Sequence, residues 1–305
     1  MKKLSKKSIV SAIIILISSM IIYSCHRRFD KAKLDGYLSE ISDWHNKRME
    51  NLKGPDGWLN LAGLFWLEEG NNRFGSDSAN DIIFPEQASP EIGSFFLENG
   101  KVSIFIQEGM NVFNNDTLVT KIVLKDDHSG KPTLLKMDSL AWFVIKRGDK
   151  YGVRLRDYAS LRIHELKNIP SFPIDLNWKI DAFFEPFSDK RTIKVPNVLG
   201  SIEESPVPGI LRFIYNGESY SLFPMGTPDK LFLVFGDETS GFETYGGGRF
   251  LYLDPPDDNG RYYIDFNKAY NPPCAFTPYA TCPLPPKENI LPIRIAAGEK
   301  AIEHF

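Results

Sequence analysis

The sequence predicts a mainly β fold behind one amphipathic helix, and three patterns predict it. Apolar residues recur every three to four positions between Asp30 and Lys53. From Trp58 onward they alternate with polar residues in short runs, and turn-forming residues interrupt those runs every eight to twelve positions. Composition agrees with a folded globular chain. Of 305 residues 42% are hydrophobic, and 36 Lys and Arg stand against 39 Asp and Glu, a balance that excludes a disordered or collagen-like polymer. A formal charge of −3 offers no general attraction to phosphate backbones, so no nucleic-acid partner is expected.

Residues 1–24 differ from the rest. Lys2, Lys3, Lys6 and Lys7 precede an uncharged apolar run from Ile9 to Tyr23, which reads as a secretory signal peptide. At about 15 residues the run is shorter than the roughly 20 that a spanning helix needs. Its end, Ile22-Tyr23-Ser24-Cys25, resembles a bacterial lipobox, although Tyr23 stands where a small residue is usual. That resemblance implies lipidation of Cys25, which then becomes residue one of the mature chain. Two acyl chains suffice for stable anchoring. The expected partner is thus a bacterial membrane, reached through the lipid, with the body in the periplasm. Loss of four Lys and no acid takes the charge from −3 to −7 over 281 residues, so the anchor and not the surface must hold the membrane.

Along the mature chain, residues 25–57 hold the anchor and the helix. Leu34, Tyr37, Leu38, Ile41, Trp44, Met49 and Leu52 share one helical face, and Gly54-Pro55-Asp56-Gly57 stops it. Residues 58–130 are read as a β-sandwich-like part and residues 131–305 as a second β-rich part, divided at the polar stretch Asp126-Asp127-His128-Ser129-Gly130. Strands are expected at Val102–Ile106, Leu140–Lys146, Val153–Arg156 and Leu231–Phe235. Asn216-Gly217 joins Leu211–Tyr215 to Glu218–Phe223 as a hairpin, because Asn-Gly accepts the positive φ of a type I′ turn. Pro272-Pro273 and Pro285-Pro286 donate no hydrogen bonds, so the C-terminus is expected to wrap the body as an irregular strap.

Several long strings resemble a family known as domain of unknown function 1684. They are Gly54-Pro55-Asp56-Gly57-Trp58-Leu59-Asn60-Leu61-Ala62-Gly63-Leu64-Phe65-Trp66-Leu67, the run from Thr239-Ser240-Gly241 to Gly248-Arg249-Phe250-Leu251, Asp265-Phe266-Asn267-Lys268-Ala269-Tyr270-Asn271-Pro272-Pro273-Cys274-Ala275-Phe276, and Thr281-Cys282-Pro283-Leu284-Pro285-Pro286. The resemblance implies one recurrent architecture and no particular reaction. Inside it, Phe74-Gly75-Ser76-Asp77, Asn80-Asp81-Ile82 and Asn114-Asn115-Asp116 are similar in order to motifs of forkhead-associated sandwiches. Those domains place Arg where Ser76 stands, and a dianionic phosphate needs such donors. The resemblance therefore implies a sandwich scaffold without phosphopeptide binding.

The region from Asp237 to Pro286 concentrates polar residues, Gly246-Gly247-Gly248 and turn-forming prolines, as loops that build sites do. One reading places Glu243, Tyr245, Arg249, Asp265, Asn267, Tyr270 and Asn271 around a pocket for a small, glycan-like ligand, with Arg249 as an anion fork. In a hydrolase version Glu243 or Asp265 is the general base. The other reading makes Arg249 an internal tie to Asp237 or Asp265, with the Asn side chains capping turns. A scaffold that tethers a partner is the third possibility. Cys274 and Cys282 are the thiols left after Cys25, and an oxidising compartment favours a disulfide between them over a free pair or metal ligation. Without C-x-x-C spacing, and with His45, His128, His164 and His304 scattered, no metal is expected. No cofactor is expected either, since Walker, G-x-G-x-x-G, G-x-S-x-G and H-E-x-x-H signatures are missing from the sequence.

Overall fold

A computed structural model describes residues 31–302, so the expected signal peptide and Cys25 lie outside the described residues. The chain divides into two compact units, residues 1–48 and 49–305. Helix α1 occupies residues 31–53. Tyr37, Ile41 and Leu52 are buried on it, whereas Leu34 and Leu38 are exposed, so the apolar face is narrower than the periodicity predicted. Among the described residues no helix is long and apolar enough to cross a membrane.

The first eleven strands build a two-sheet body. They are β1 (Leu61–Trp66), β2 (Gly70–Gly75), β3 (Ile82–Ile83), β4 (Gly93–Glu98), β5 (Lys101–Ile106), β6 (Phe113–Asn114), β7 (Thr117–Leu118), β8 (Lys121–Leu124), β9 (Leu135–Met137), β10 (Leu140–Arg147) and β11 (Lys150–Asp157). One sheet runs β1-β11-β10-β9-β6-β7 and the other β3-β2-β4-β5-β8. Alternation fixes which face turns inward. Phe74, Phe95, Ile104, Trp142, Val144, Val153 and Leu155 meet in one apolar core, where the Phe74 ring lies 4.5 Å from Phe95 and 5.2 Å from Phe84. Because β1 pairs with β11, this body extends to Asp157 and takes in strands that the sequence reading had placed beyond residue 130.

β11 departs from the simple alternation of a half-exposed strand. Every residue from Tyr151 to Asp157 is buried. Tyr151, Val153 and Leu155 face the sandwich core, so the intervening Arg154 and Arg156 occupy the outer face. That outer face is covered. Arg156 donates to the carbonyls of Gly57 and Asp56 and to Asn60 Oδ1 at 2.6 Å, and Asn60 Nδ2 in turn donates to the carbonyls of Gly54 and Pro55. The turn that ends α1 is thereby clamped onto the sheet.

After the short α2 (Arg162–Glu165), the chain forms β12 (Lys179–Pro196), β13 (Ile202–Tyr215), β14 (Glu218–Leu222), β15 (Met225–Thr227), β16 (Lys230–Phe235), β17 (Arg249–Tyr252) and β18 (Tyr262–Asp265). They make a β14-β13-β12-β18 sheet and a β15-β16-β17 sheet. Asn216 and Gly217 both have positive φ, 51° and 84°, between the paired Tyr215 and Glu218, as the I′ turn requires. Leu211, Phe213, Leu233, Phe235, Ile264 and Phe266 join the two sheets in a second core. Among the described residues beyond Asp265 only 3-10 turns and isolated bridges remain, so the Pro-rich C-terminal segment is the irregular strap that its sequence predicts.

Candidate functional site

Arg249 opens β17 beside Phe235 of β16, and its side chain is wholly buried. Nη2 donates to Asp237 Oδ1 at 3.2 Å and to the Ile295 carbonyl at 3.1 Å, and Nη1 donates to the Ala297 carbonyl. Asp237 also accepts from the Ile295 amide at 2.8 Å and from Thr239 Oγ1 at 2.9 Å. Burial lowers the Arg249 pKa and the Asp237 charge opposes that shift. Arg249 is therefore an internal tie between β17 and the chain near Ala297. It does not present an anion fork to solvent.

The other sequence-chosen residues are dispersed among separate contacts. Glu243 is a surface residue held by both side-on donors of Arg294, Nε to Oε1 and Nη2 to Oε2, each at 2.8 Å. That hydrogen-bonded pair lowers its pKa, which disfavours it as a base near neutrality. Asp265 caps the following turn by accepting from the Asn267 amide at 3.2 Å. Asn267 bonds both the amide and the carbonyl of Asp175. The Asn271 amide donates to Glu299 Oε2 at 2.7 Å, and its side chain donates to the Lys300 carbonyl. Tyr270 bridges to Phe250 and stacks near Tyr252. Tyr245 sits by the two cysteines, and burial followed by their charges raises its phenol pKa.

A recess that sequence reasoning did not single out lies on the open face of the β14-β13-β12-β18 sheet. A cavity of about 1110 Å³ is lined by residues 175–183, 212–216 and 259–261. Phe183 and Ile214 stand in it with 70% and 68% of their surface exposed. Trp178 stacks on Tyr215 with ring centres 4.8 Å apart and is itself buried. Around these apolar groups are Asn177, Asn216, Asn259, Asp181, Lys179 and Arg261, which together offer many hydrogen-bond donors and acceptors. Asp265 flanks this recess through β18 pairing with β12, and Asn267 does so through its hydrogen bonds to Asp175. The sequence signal was alternation in β12, which turned Phe183 outward. It was easily missed, because single exposed apolar residues are common.

The strap brings Cys274 and Cys282 together, but the expected disulfide is not formed. Both thiols are free, and the Cys274 amide donates to Cys282 Sγ at 3.2 Å. The physical reason is that proximity alone leaves two thiols in a hydrogen bond. A disulfide also requires removal of two electrons. The hydrogen bond from the Cys282 thiol lowers the Cys274 pKa, and the Arg154 charge adds to that effect. Cys282 is raised by the same hydrogen bond and by burial. The strap thus lies over the outer face of β11, and Arg147 Nε donates to Thr281 Oγ1 at 3.0 Å across the same junction. Among the described residues no three His, Cys, Asp or Glu converge as a metal centre would need.

Residues 164–300 match the family model described as protein of unknown function (DUF1684). The DUF1684 match contains the recess and the strap, and it supports the C-terminal part of the resemblance read from the sequence. No curated protein matches the chain. Among solved structures, an uncharacterized protein of Haloarcula marismortui is 27% identical with a TM-score of 0.38, covering 45% of this chain and 78% of its own. An FHA domain from a study of phosphothreonine-dependent FHA interactions is 14% identical with a TM-score of 0.21, covering 30% of this chain and 92% of its own. The FhaA FHA domain complexed with the intracellular domain of Rv3910 is 13% identical with a TM-score of 0.22, covering 30% and 97%.

Proposed function

We propose that this protein is an exported lipoprotein, anchored through Cys25, that binds a small glycan-like ligand in the recess of the β14-β13-β12-β18 sheet. One observation carries the reading: Phe183 and Ile214 stand exposed on a concave sheet face ringed by amide and charged side chains. A sugar ring has an apolar face and an equatorial belt of hydroxyls. It therefore matches an apolar platform bordered by Asn, Asp and Arg, as binding sites combine apolar walls with a few placed polar groups. The hydrolase alternative draws less support, because Glu243 is ion-paired at the surface and Arg249 is sealed inside.

Titration calorimetry against a panel of neutral and amino-sugar oligosaccharides tests the site. At least one is expected to bind, and Phe183→Ala is expected to weaken it at least about tenfold, the loss of roughly 1.4 kcal/mol of stacking. If nothing in the panel binds, or if the substitution leaves affinity unchanged, the recess is not a sugar site and the scaffold reading takes its place. The anchor has its own check. Labelled fatty acid should enter the protein, and Cys25→Ser should abolish labelling and move the body from the membrane to the soluble fraction. A Cys25→Ser protein that stays membrane-bound would contradict lipid anchoring.

A further inference from the structure

Arg154 is a buried cation with no ion pair among the described residues. It lies in the middle of β11, only 5% exposed, with its guanidinium 5.7 Å from the Trp58 ring. Neither Nε nor Nη2 has a hydrogen-bond acceptor. Its neighbours sharpen the imbalance. Arg156, two residues along the same face, uses its donors on Asn60 and the carbonyls of the α1 turn. Arg147 is satisfied by Thr281 and by Asp127 at 2.7 Å. Asp127 is the acid that most offsets the Arg154 charge, yet it is already engaged by Arg147 and by the Lys146 amide. Burial, and next the repulsion of Arg147, lower the Arg154 pKa to about 10, so it remains charged at neutral pH.

The two open donors are not an arbitrary pair. Nε–H and Nη2–H form the side-on edge of the guanidinium, which presents two parallel donors to a planar oxyanion. The chain shows the complete version of this pairing at its surface, where the same two atoms of Arg294 grip the Glu243 carboxylate. At Arg154 the same two atoms are buried and have no acceptor among the described residues. Buried donors left unmade are costly, and an oxyanion from outside would satisfy both at once.

We propose that the side-on edge of Arg154 is a binding site for a carboxylate- or phosphate-type oxyanion, bordered by Arg147, Trp58, Cys274 and Cys282. Arg147 and Cys274 are half-buried and Cys282 is buried, so the strap frames the site. The site is separate from the sugar recess, and either can fail without the other. It rests on the junction between the outer face of β11 and the strap, which also explains why the thiols sit where a positive charge reaches them.

The test is melting of the full-length protein with succinate or inorganic phosphate, each compared with sodium chloride at equal ionic strength. Succinate alone, phosphate alone or both should raise the melting temperature by a few degrees at saturation, and the pattern identifies which oxyanion is preferred. Arg154→Lys, which keeps the charge and removes the fork, should weaken the response at least about tenfold. Arg154→Met should abolish it while leaving the unliganded protein as stable as the parent or more so, because an unpaired buried charge is gone. No shift beyond chloride overturns the proposal, as does a response that survives in both variants. A response seen only after Cys274→Ser would make the Cys274 thiolate the native counter-ion and would equally overturn it.

Discussion

Asp237→Ala is expected to destabilise the protein by about 3–5 kcal/mol, because it strands the buried Arg249 charge without its partner. Against a typical total of about 5–15 kcal/mol, that is enough to leave much of the protein unfolded at 37 °C. Both side chains of the pair are inaccessible to solvent, and Asp237 additionally accepts from the Ile295 amide and from Thr239, so several bonds fall together. Urea unfolding followed by tryptophan fluorescence measures the loss. Replacing both partners, Asp237→Leu with Arg249→Met, should recover a large part of it, since well-packed apolar residues can substitute for a buried ion pair. Glu243→Gln at the surface pair with Arg294 should change the midpoint little. An Asp237→Ala protein as stable as the parent would mean that Arg249 does not tie the C-terminal region, and would reopen it as a ligand-binding residue.

Phe74→Ala should cost a similar amount, about 3–5 kcal/mol, by opening a cavity in the first core. The ring contacts Phe84, Phe95 and Trp142, all buried, the last two in β4 and β10, so little relaxation can fill the space. The shape of the transition is as informative as its midpoint. Residues 49–305 form one compact unit, and Arg147 ties the sandwich to the strap at Thr281. A single unfolding transition by fluorescence and by circular dichroism is therefore expected, displaced to lower urea. Two separated transitions in this variant would show that the sandwich unfolds independently of the C-terminal sheets.

Much of the architecture was legible before any coordinates because it depends on short-range rules. The α1 periodicity, the Gly54-Pro55 stop and the Asn216-Gly217 turn each arise within a few residues. The alternation at Val102–Ile106 and Leu231–Phe235 likewise needs no distant partner. The boundary near residue 130 misled because a polar turn marks a connection and does not say which sheet the next strand joins. Only the pairing of β11 with β1 decides that.

The candidate site shows the same division more sharply. From sequence, Arg249 had two readings, as tie or as fork. The choice between them depends on Asp237, Ile295 and Ala297, up to 48 positions away. Arg154 falls within the strand expected at Val153–Arg156, and nothing local in the sequence says what covers it. By itself the sequence determined the strand periods, the turn chemistry and the irregular Pro-rich C-terminal segment, since all of these follow from local backbone preference and burial pattern. Only the tertiary structure decided which charges lose their water. Burial of a side chain is set by what the chain lays over it, and here the α1 turn and the strap cover the outer face of β11, giving Arg156 its partners and leaving Nε and Nη2 of Arg154 without acceptors among the described residues.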